Sequence, residues 1–453
     1  MNRGLAFSAA CAAAFLAAVV FSPAAEVRAD DEPEYVPGQV IVKFKDSSTP
    51  EGVRRALGRV RGRRGQEIAA RRSGREDLPG TVVVELEESV ESAVRSLRAD
   101  PNVEYAEPDW LVWHEAVSND SYFVTKKLWN MYGDATTPAN KFGSQAGEAW
   151  ARGNVGSKGV YVGILDTGID ISHPDLAANI WKNAAEVVDG KDNDGNGYID
   201  DVNGYDFLNN DASVFDGKPK SNYEQHGTHV AGTIGGIGGN KVGVAGVNWS
   251  VQMISCKFIG YTGAGASSNA ARAMYYLIDL KKRHGLNIVA TNNSWGGGAY
   301  SQAMVDAVLA GRDAGILFVA AAGNSTKNND TVLTYPANYT TSTSTNVTES
   351  VISVAATDLK GVLASFSNYG AATVDLAAPG VGIWSTSPYN TYASLNGTSM
   401  ACPHVTGAAA LYAASHPSAT ITEIRSAILN SAIPTPGLSG KVATGGRLDC
   451  GGF

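Results

Sequence analysis

The sequence predicts an α/β protein: a doubly wound parallel-sheet domain preceded by a small α+β domain. Three observations carry this. From about residue 116 onward, short, near-continuous apolar runs alternate with stretches of helical spacing, the pattern of strands buried on both faces and joined by crossover helices. Before residue 116, period-two alternation and a single helical stretch describe a smaller unit. The 51 glycines among 453 residues are too many for a helical bundle and suit a sheet with frequent turns.

Composition narrows the class further. With 44% hydrophobic and 18% charged residues the chain is too apolar for disorder. A formal net charge of -8 gives no reason to expect nucleic acid as a partner.

The first 29 residues read as a removable secretory signal. Arg3 supplies the positive start, residues 5–21 are an alanine-rich apolar run, and Val27-Arg28-Ala29 offers small residues for cleavage after Ala29. As a membrane anchor the run barely reaches the required length of about 20 residues. No later stretch is long and apolar enough to span a bilayer, so the mature protein is expected to be soluble and extracellular. Of the four cysteines, Cys11 leaves with the signal. Cys256, Cys402 and Cys450 then allow at most one intramolecular bridge, and whether Cys402 and Cys450 pair stays open. This is no disulfide scaffold. Cys256 and Cys402 lie in apolar contexts that suit buried thiols.

Residues 30–115 form the small α+β unit. Strands are expected at 39–44 and 81–86, and a helix at 90–97 that ends before Asp100-Pro101. Residues 54–75 are arginine-dense and read as solvated or flexible. In the larger domain, 116–453, strands are expected at 160–165, 253–258, 287–291, 316–321 and 351–355. Helices are expected at 268–284, 302–314, 401–415 and 421–431. No further carboxyl-terminal domain is expected. In such a fold the site lies at the carboxyl ends of the strands.

Four residues fall at such places. Asp166 directly follows the first strand, in Asp166-Thr167-Gly168-Ile169-Asp170, although an aspartate before a glycine turn is more often structural. His226 opens His226-Gly227-Thr228-His229, where small residues imply a tightly packed helix start. Histidines three apart also suggest a zinc site, but a zincin needs His-Glu-x-x-His. Ser399, in Gly397-Thr398-Ser399-Met400-Ala401, precedes a small-residue helix. A serine there is usually a cap, yet it also lies beside free N–H groups and the positive end of the helix dipole. Pro403 is expected in the first turn of that helix, where its missing N–H costs little. Asn324 follows a buried strand and offers a side-chain donor to a developing negative oxygen.

The chain order aspartate, histidine, serine is the order of subtilisins, and these four motifs resemble those of the subtilase family. The stretches Pro37-Gly38-Gln39-Val40-Ile41-Val42 and Val103-Glu104-Tyr105-Ala106-Glu107-Pro108 resemble the inhibitor propeptide of such proteases. The resemblance implies a subtilisin-like peptidase domain that hydrolyses polypeptide substrates, with its own propeptide as intramolecular inhibitor and folding aid. It implies Ser399 as nucleophile, His226 as general base and Asp166 as the group that orients the imidazole. The Ser399 N–H and the Asn324 amide would form the oxyanion hole. Ser294, Trp295, Gly296 and Gly297 resemble the substrate-binding strand, with Gly296 and Gly323 leaving room for a large P1 side chain. No acidic residue falls in these segments, so an apolar P1 is expected. Nothing points to a partner subunit, and a monomer is expected.

Calcium is expected as a structural cofactor. Asp192, Asp194, Asn196, Tyr198 through its carbonyl, and Asp200 stand at alternate positions as in the first nine places of an EF-hand loop. The twelfth place holds Asn203 instead of glutamate. The family resemblance suggests a second site at Asp175 and Asn240 with the carbonyls of Val242 and Val244. Two other functions compete with this reading. A non-catalytic binding protein on the same fold would not need the four intact motifs. A lipase of the α/β-hydrolase kind wants Gly-x-Ser-x-Gly and its histidine last, and neither is found here.

Overall fold

Packing divides the chain into two units, Met1–Val112 and Trp113–Phe453, and the computed structural model describes residues 35–69, 80–110, 118–217, 224–342 and 346–453. The expected signal segment 1–29 and the expected boundary at 115/116 lie outside the described residues.

The first unit runs β1 (Tyr35–Phe44), α1 (Pro50–Arg59), β2 (Arg63–Ala69), β3 (Thr81–Glu85), α2 (Val90–Arg98) and β4 (Val103–Trp110). Its strands form an antiparallel sheet in the order β2-β3-β1-β4. Val40, Val42 and Phe44 alternate inward from β1 to meet Val82 and Val84 of β3, and Val94 and Leu97 of α2 close the core. The arginine-dense stretch is not without structure. Residues 54–59 complete α1 and 63–69 are β2, while 70–75 lie outside the described residues. Thr49 caps α1, Pro50 opens it, and Val53 and Ala56 are buried while Arg54, Arg55 and Arg59 face water. Arginine density here marks the wet side of an amphipathic helix.

The second unit begins with α3 (Ser121–Val124), α4 (Ala146–Ala151), β5 (Gly156–Asp166), β6 (Gly204–Asp206), α5 (Gln225–Gly235), β7 (Ser250–Lys257) and α6 (Ser267–His284). Next come β8 (Ile288–Asn293), α7 (Gln302–Asp313), β9 (Leu317–Ala321), β10 (Val351–Thr357) and β11 (Leu376–Pro379). The hairpin β12 (Ile383–Ser387) and β13 (Thr391–Leu395) leads into α8 (Thr398–Ser415), α9 (Ile421–Asn430), β14 (Ile433–Pro434) and β15 (Gly446–Arg447). The main sheet has the order β14-β15-β11-β10-β9-β8-β5-β7-β6. Every ladder from β6 to β15 is parallel, and only β14 runs antiparallel at the edge.

The apolar runs are continuous because both faces are covered. Val162, Ile164 and Val319 join Val230 of α5 and Val405 of α8 on one face. Leu165, Ile254 and Phe318 join Met274 of α6 and Val308 of α7 on the other. From β5 the chain builds β6 and β7 to one side, then β8 to β11 to the other. This reversal is a topological switch point, where the carboxyl ends of neighbouring strands open a crevice. Among the described residues, no helix is long and apolar enough to cross a membrane. Cys256, Cys402 and Cys450 are buried free thiols, so Cys402 and Cys450 do not pair.

Candidate active site

Asp166 is the last residue of β5 and is fully buried. Its Oδ1 accepts the Thr167 N–H at 2.7 Å, and its two oxygens lie 2.8 and 3.0 Å from Nδ1 of His226. The approach of α5 to this turn requires Gly227. A Cβ there would stand 2.3 Å from the Gly168 carbonyl oxygen, while the Gly227 N–H donates to Thr167 Oγ1 at 3.0 Å. Burial disfavours a charged imidazole at His226, but the charge and hydrogen bond of Asp166 outweigh it and hold the pKa above the ordinary value. The neighbouring His229 goes elsewhere. Its Nε2 meets the Ile383 and Ala393 carbonyls at 3.0 and 3.1 Å, and burial drives its pKa down to about 3. It is a neutral core histidine.

Ser399 sits in the first turn of α8, which begins three residues earlier than the sequence pattern suggests. Pro403 therefore falls in the second turn and withholds an N–H from the carbonyl four residues back, which is that of Ser399. The Ser294 hydroxyl fills the gap, donating to the Ser399 carbonyl at 2.8 Å. In return the Ser399 hydroxyl donates to the Ser294 carbonyl at 3.0 Å. The end of β8 and the start of α8 are thus tied by a reciprocal pair. The Ser399 hydroxyl is not hydrogen-bonded to His226 in this arrangement.

Asn324 follows β9 and is oriented by Thr398, whose N–H and hydroxyl both donate to Asn324 Oδ1, at 2.8 and 2.9 Å. With the oxygen engaged, the amide NH2 is left to donate. The Ser399 N–H has no hydrogen bond among the described residues. A Cβ placed on Gly397 would lie 3.5 Å from the Ser399 nitrogen and 3.6 Å from Asn324 Nδ2, so two donors face one small space. Gly323 has φ +110°, and a Cβ there would stand 2.5 Å from Asn368 Nδ2.

His226, Ser399, Asn324, Ser294, Trp295 and Gly296 share the wall of a cavity of about 740 Å³. An adjoining cavity of about 440 Å³ shares Ser399, Asn324, Trp295 and Gly296 and adds Gly323. The Trp295 ring packs edge-on against Phe258, with centroids 5.1 Å apart. The Gly297 N–H donates to the Tyr335 carbonyl at 3.0 Å, and residues 294–297 lie beyond the end of β8, outside any named strand.

The expected metal ligands are gathered in part. One oxygen each of Glu186, Asp192 and Asp194 lies within 4.8 Å of the others. Asp192 accepts the Gly195 and Gly197 N–H groups at 2.7 and 2.8 Å, and Asp194 Oδ2 meets His284 Nε2 at 2.9 Å. Glu186, which no local motif marks in the sequence, is buried and has one oxygen without a partner. Asn196 Oδ1 accepts the Tyr198 N–H at 2.7 Å, and the Tyr198 ring packs on Tyr205 and Tyr276. Asp200 is not brought into the cluster: its carboxylate accepts the Asp189 and Gly190 N–H groups at 3.0 and 3.1 Å. Oxygen-only donors with an orphaned buried carboxylate oxygen fit a hard cation such as calcium.

At the second place, Asp175 accepts Asn240 Nδ2 at 2.7 Å and the Val244 N–H at 2.9 Å. Asn240 Oδ1 accepts the Val242 N–H at 2.7 Å. Asp120, likewise unmarked by any local motif, accepts the Gly239 and Asn240 N–H groups at 2.8 and 3.0 Å. Both carboxylates are fully buried, and burial raises Asp175 to about 6 and Asp120 above its ordinary value. Two buried carboxylates from separate segments converge on residues 239–244 and again fit a hard cation. Only their meeting in space links residues 120, 175 and 240, so local sequence could not reveal Asp120.

Residues 157–447 match the Subtilase family, and residues 21–109 match the Fervidolysin N-terminal prodomain. The chain is 34% identical to a thermophilic serine proteinase of Bacillus sp. (strain AK1), over 84% of this chain and 78% of that protein. It is 39% identical to Subtilisin Savinase of Lederbergia lenta, over 64% of this chain and 88% of the relative. Among solved structures it resembles a protease from Pseudoalteromonas arctica PAMC 21717, at 27% identity and TM-score 0.57, covering 74% of this chain and 98% of that one. The subtilase match alone spans more than half of the sequence, and with it the chain belongs to the subtilase family of serine proteases, preceded by a prodomain.

Proposed function

We propose that this protein is a secreted serine endopeptidase made as a self-processing zymogen. Residues 1–29 direct export, 30–115 assist folding and inhibit the enzyme until removed, and 116–453 hydrolyse peptide bonds. The observation that carries this reading is the hydrogen bond between Asp166 and His226 Nδ1 at 2.8 Å, with Ser399 and Asn324 on the same cavity wall.

The chemistry follows from these positions. Asp166 fixes the tautomer that carries its proton on Nδ1 and leaves Nε2 as the base. A substrate carbonyl entering beside Ser399 turns the hydroxyl from the Ser294 carbonyl toward Nε2. The oxygen attacks the carbonyl carbon as His226 takes the proton. Negative charge grows on the carbonyl oxygen, in the space by Gly397 where the Ser399 N–H and the Asn324 amide can donate. The imidazolium then protonates the leaving amine, and water repeats the sequence on the acyl-enzyme. The segment from Ser294 to Gly297 binds substrate main chain, which favours broad specificity. The glycine-walled cavity at Gly296 and Gly323 takes the P1 side chain, with apolar groups preferred. Calcium bound at Asp192 and Asp194 with Glu186, and at Asp175 with Asp120 and Asn240, braces surface loops and takes no part in the reaction.

The test is to incubate the purified zymogen and its Ser399→Ala variant, then sequence new amino termini. The expected result is a cut near residue 115 in the active form alone. Equal processing of both forms, or none of the active form, contradicts the proposal.

A further inference from the structure

Lys327 stands on the wall of the cavity assigned to the P1 side chain, a placement that the sequence did not reveal. That cavity has a volume of about 440 Å³, and Lys327 joins Gly296, Gly323, Thr334 and Tyr335 on its wall. No aspartate or glutamate stands among the described residues that line it. Lys327 lies three residues after Asn324, and its backbone is pinned. The Lys327 N–H donates to Asn368 Oδ1 at 3.0 Å, and its carbonyl accepts the Tyr369 N–H at 3.0 Å. Asn368 is buried and anchored in turn on the Ala322 carbonyl and Asn329 Oδ1, at 3.1 and 3.0 Å. Thr326 enters this turn with φ +56°, an uncommon conformation for a branched residue. The surroundings therefore fix where the lysine emerges, while its side chain is exposed. Its ammonium makes no ion pair or hydrogen bond among the described residues.

We infer that Lys327 is a specificity-determining residue that lets this cavity accept an acidic P1 side chain, aspartate or glutamate. The inference rests on Ser399 being the nucleophile, since that choice makes this cavity the P1 pocket. A lysine with no carboxylate among the residues of a concave wall attracts an anionic group that enters there. The methylene stem still offers an apolar surface. Apolar P1 groups and acidic ones are thus served by one wall, and lysine or arginine at P1 is disfavoured by like charge.

The experiment uses the full chain after maturation and two peptides that differ only in glutamate or glutamine at P1. The quantity read is the ratio of their kcat/KM values, in the wild type, Lys327→Met and Lys327→Glu, at low and at high salt. The expected glutamate-to-glutamine ratio falls roughly two- to fivefold in Lys327→Met, in line with a partly exposed ion pair. It falls further in Lys327→Glu, and about 1 M salt narrows the differences. An equal ratio in all three proteins overturns the role of Lys327 and leaves the endopeptidase intact. Failure of the wild type to cut either peptide overturns the endopeptidase reading, and this inference with it.

Discussion

In the proposed mechanism His226 must be neutral to take a proton from Ser399, yet Asp166 holds its pKa above the ordinary histidine value. Activity should therefore rise with pH through that raised pKa. Replacing Asp166 by asparagine removes the charge that raises it and frees the wrong tautomer. The expected result is a fall in kcat of about 10⁴-fold, with the acid limb of kcat/KM moved to lower pH. A pH profile on a short peptide checks both, and an unmoved limb would contradict the Asp166–His226 coupling. At this scale Asp166, His226, Asn324 and Ser399 were legible in the sequence because each follows a strand or starts a helix within a short motif. Glu186, Asp120 and Lys327 were not. Each acquires its meaning from a neighbour brought close by folding, as when Asp120 meets Asn240.

Among the elements, α8 shows what a motif conceals. Its glycine, threonine and serine announce a helix start, but the true register puts Pro403 in the second turn. The cost of that proline is offset by Ser294, whose hydroxyl satisfies the Ser399 carbonyl. Ser294 also accepts the Asn292 side-chain amide at 2.9 Å. Ser294→Ala should then lower stability by about 1–3 kcal/mol, the penalty for buried polar groups left unpaired. Urea unfolding in the Ser399→Ala background, which prevents autolysis, measures it; a change below about 0.5 kcal/mol, as for an ordinary surface serine, would contradict the account. The arginine-rich α1 and β2 teach a related lesson. Their charges masked Val53 and Ala56, whose spacing alone marks the buried stripe. The long strands β5, β7, β8, β9 and β10 were legible because burial on both faces leaves uninterrupted apolar runs. The short β6, β11, β14 and β15 have too few residues to carry a period.

The whole molecule works by gathering segments that lie far apart in sequence around a switch point in one parallel sheet. The long loops that this topology requires include those holding Asp192 and Asp175, and the proposed calcium ions neutralise carboxylates there. Chelation should lower the melting temperature and speed autolysis of the mature enzyme; unchanged values would remove both sites from the account. The parallel order could be anticipated from alternating strands and helices, whereas the meeting of β5, α5, β9 and α8 at one cavity is visible only in three dimensions. The most direct test of that meeting is the rate at which a fluorophosphonate modifies the mature protein, with the modified residue located by mass spectrometry. One label is expected, on Ser399, formed far more slowly in His226→Ala; a label elsewhere, or an unchanged rate in that variant, rules out a single site built from these residues.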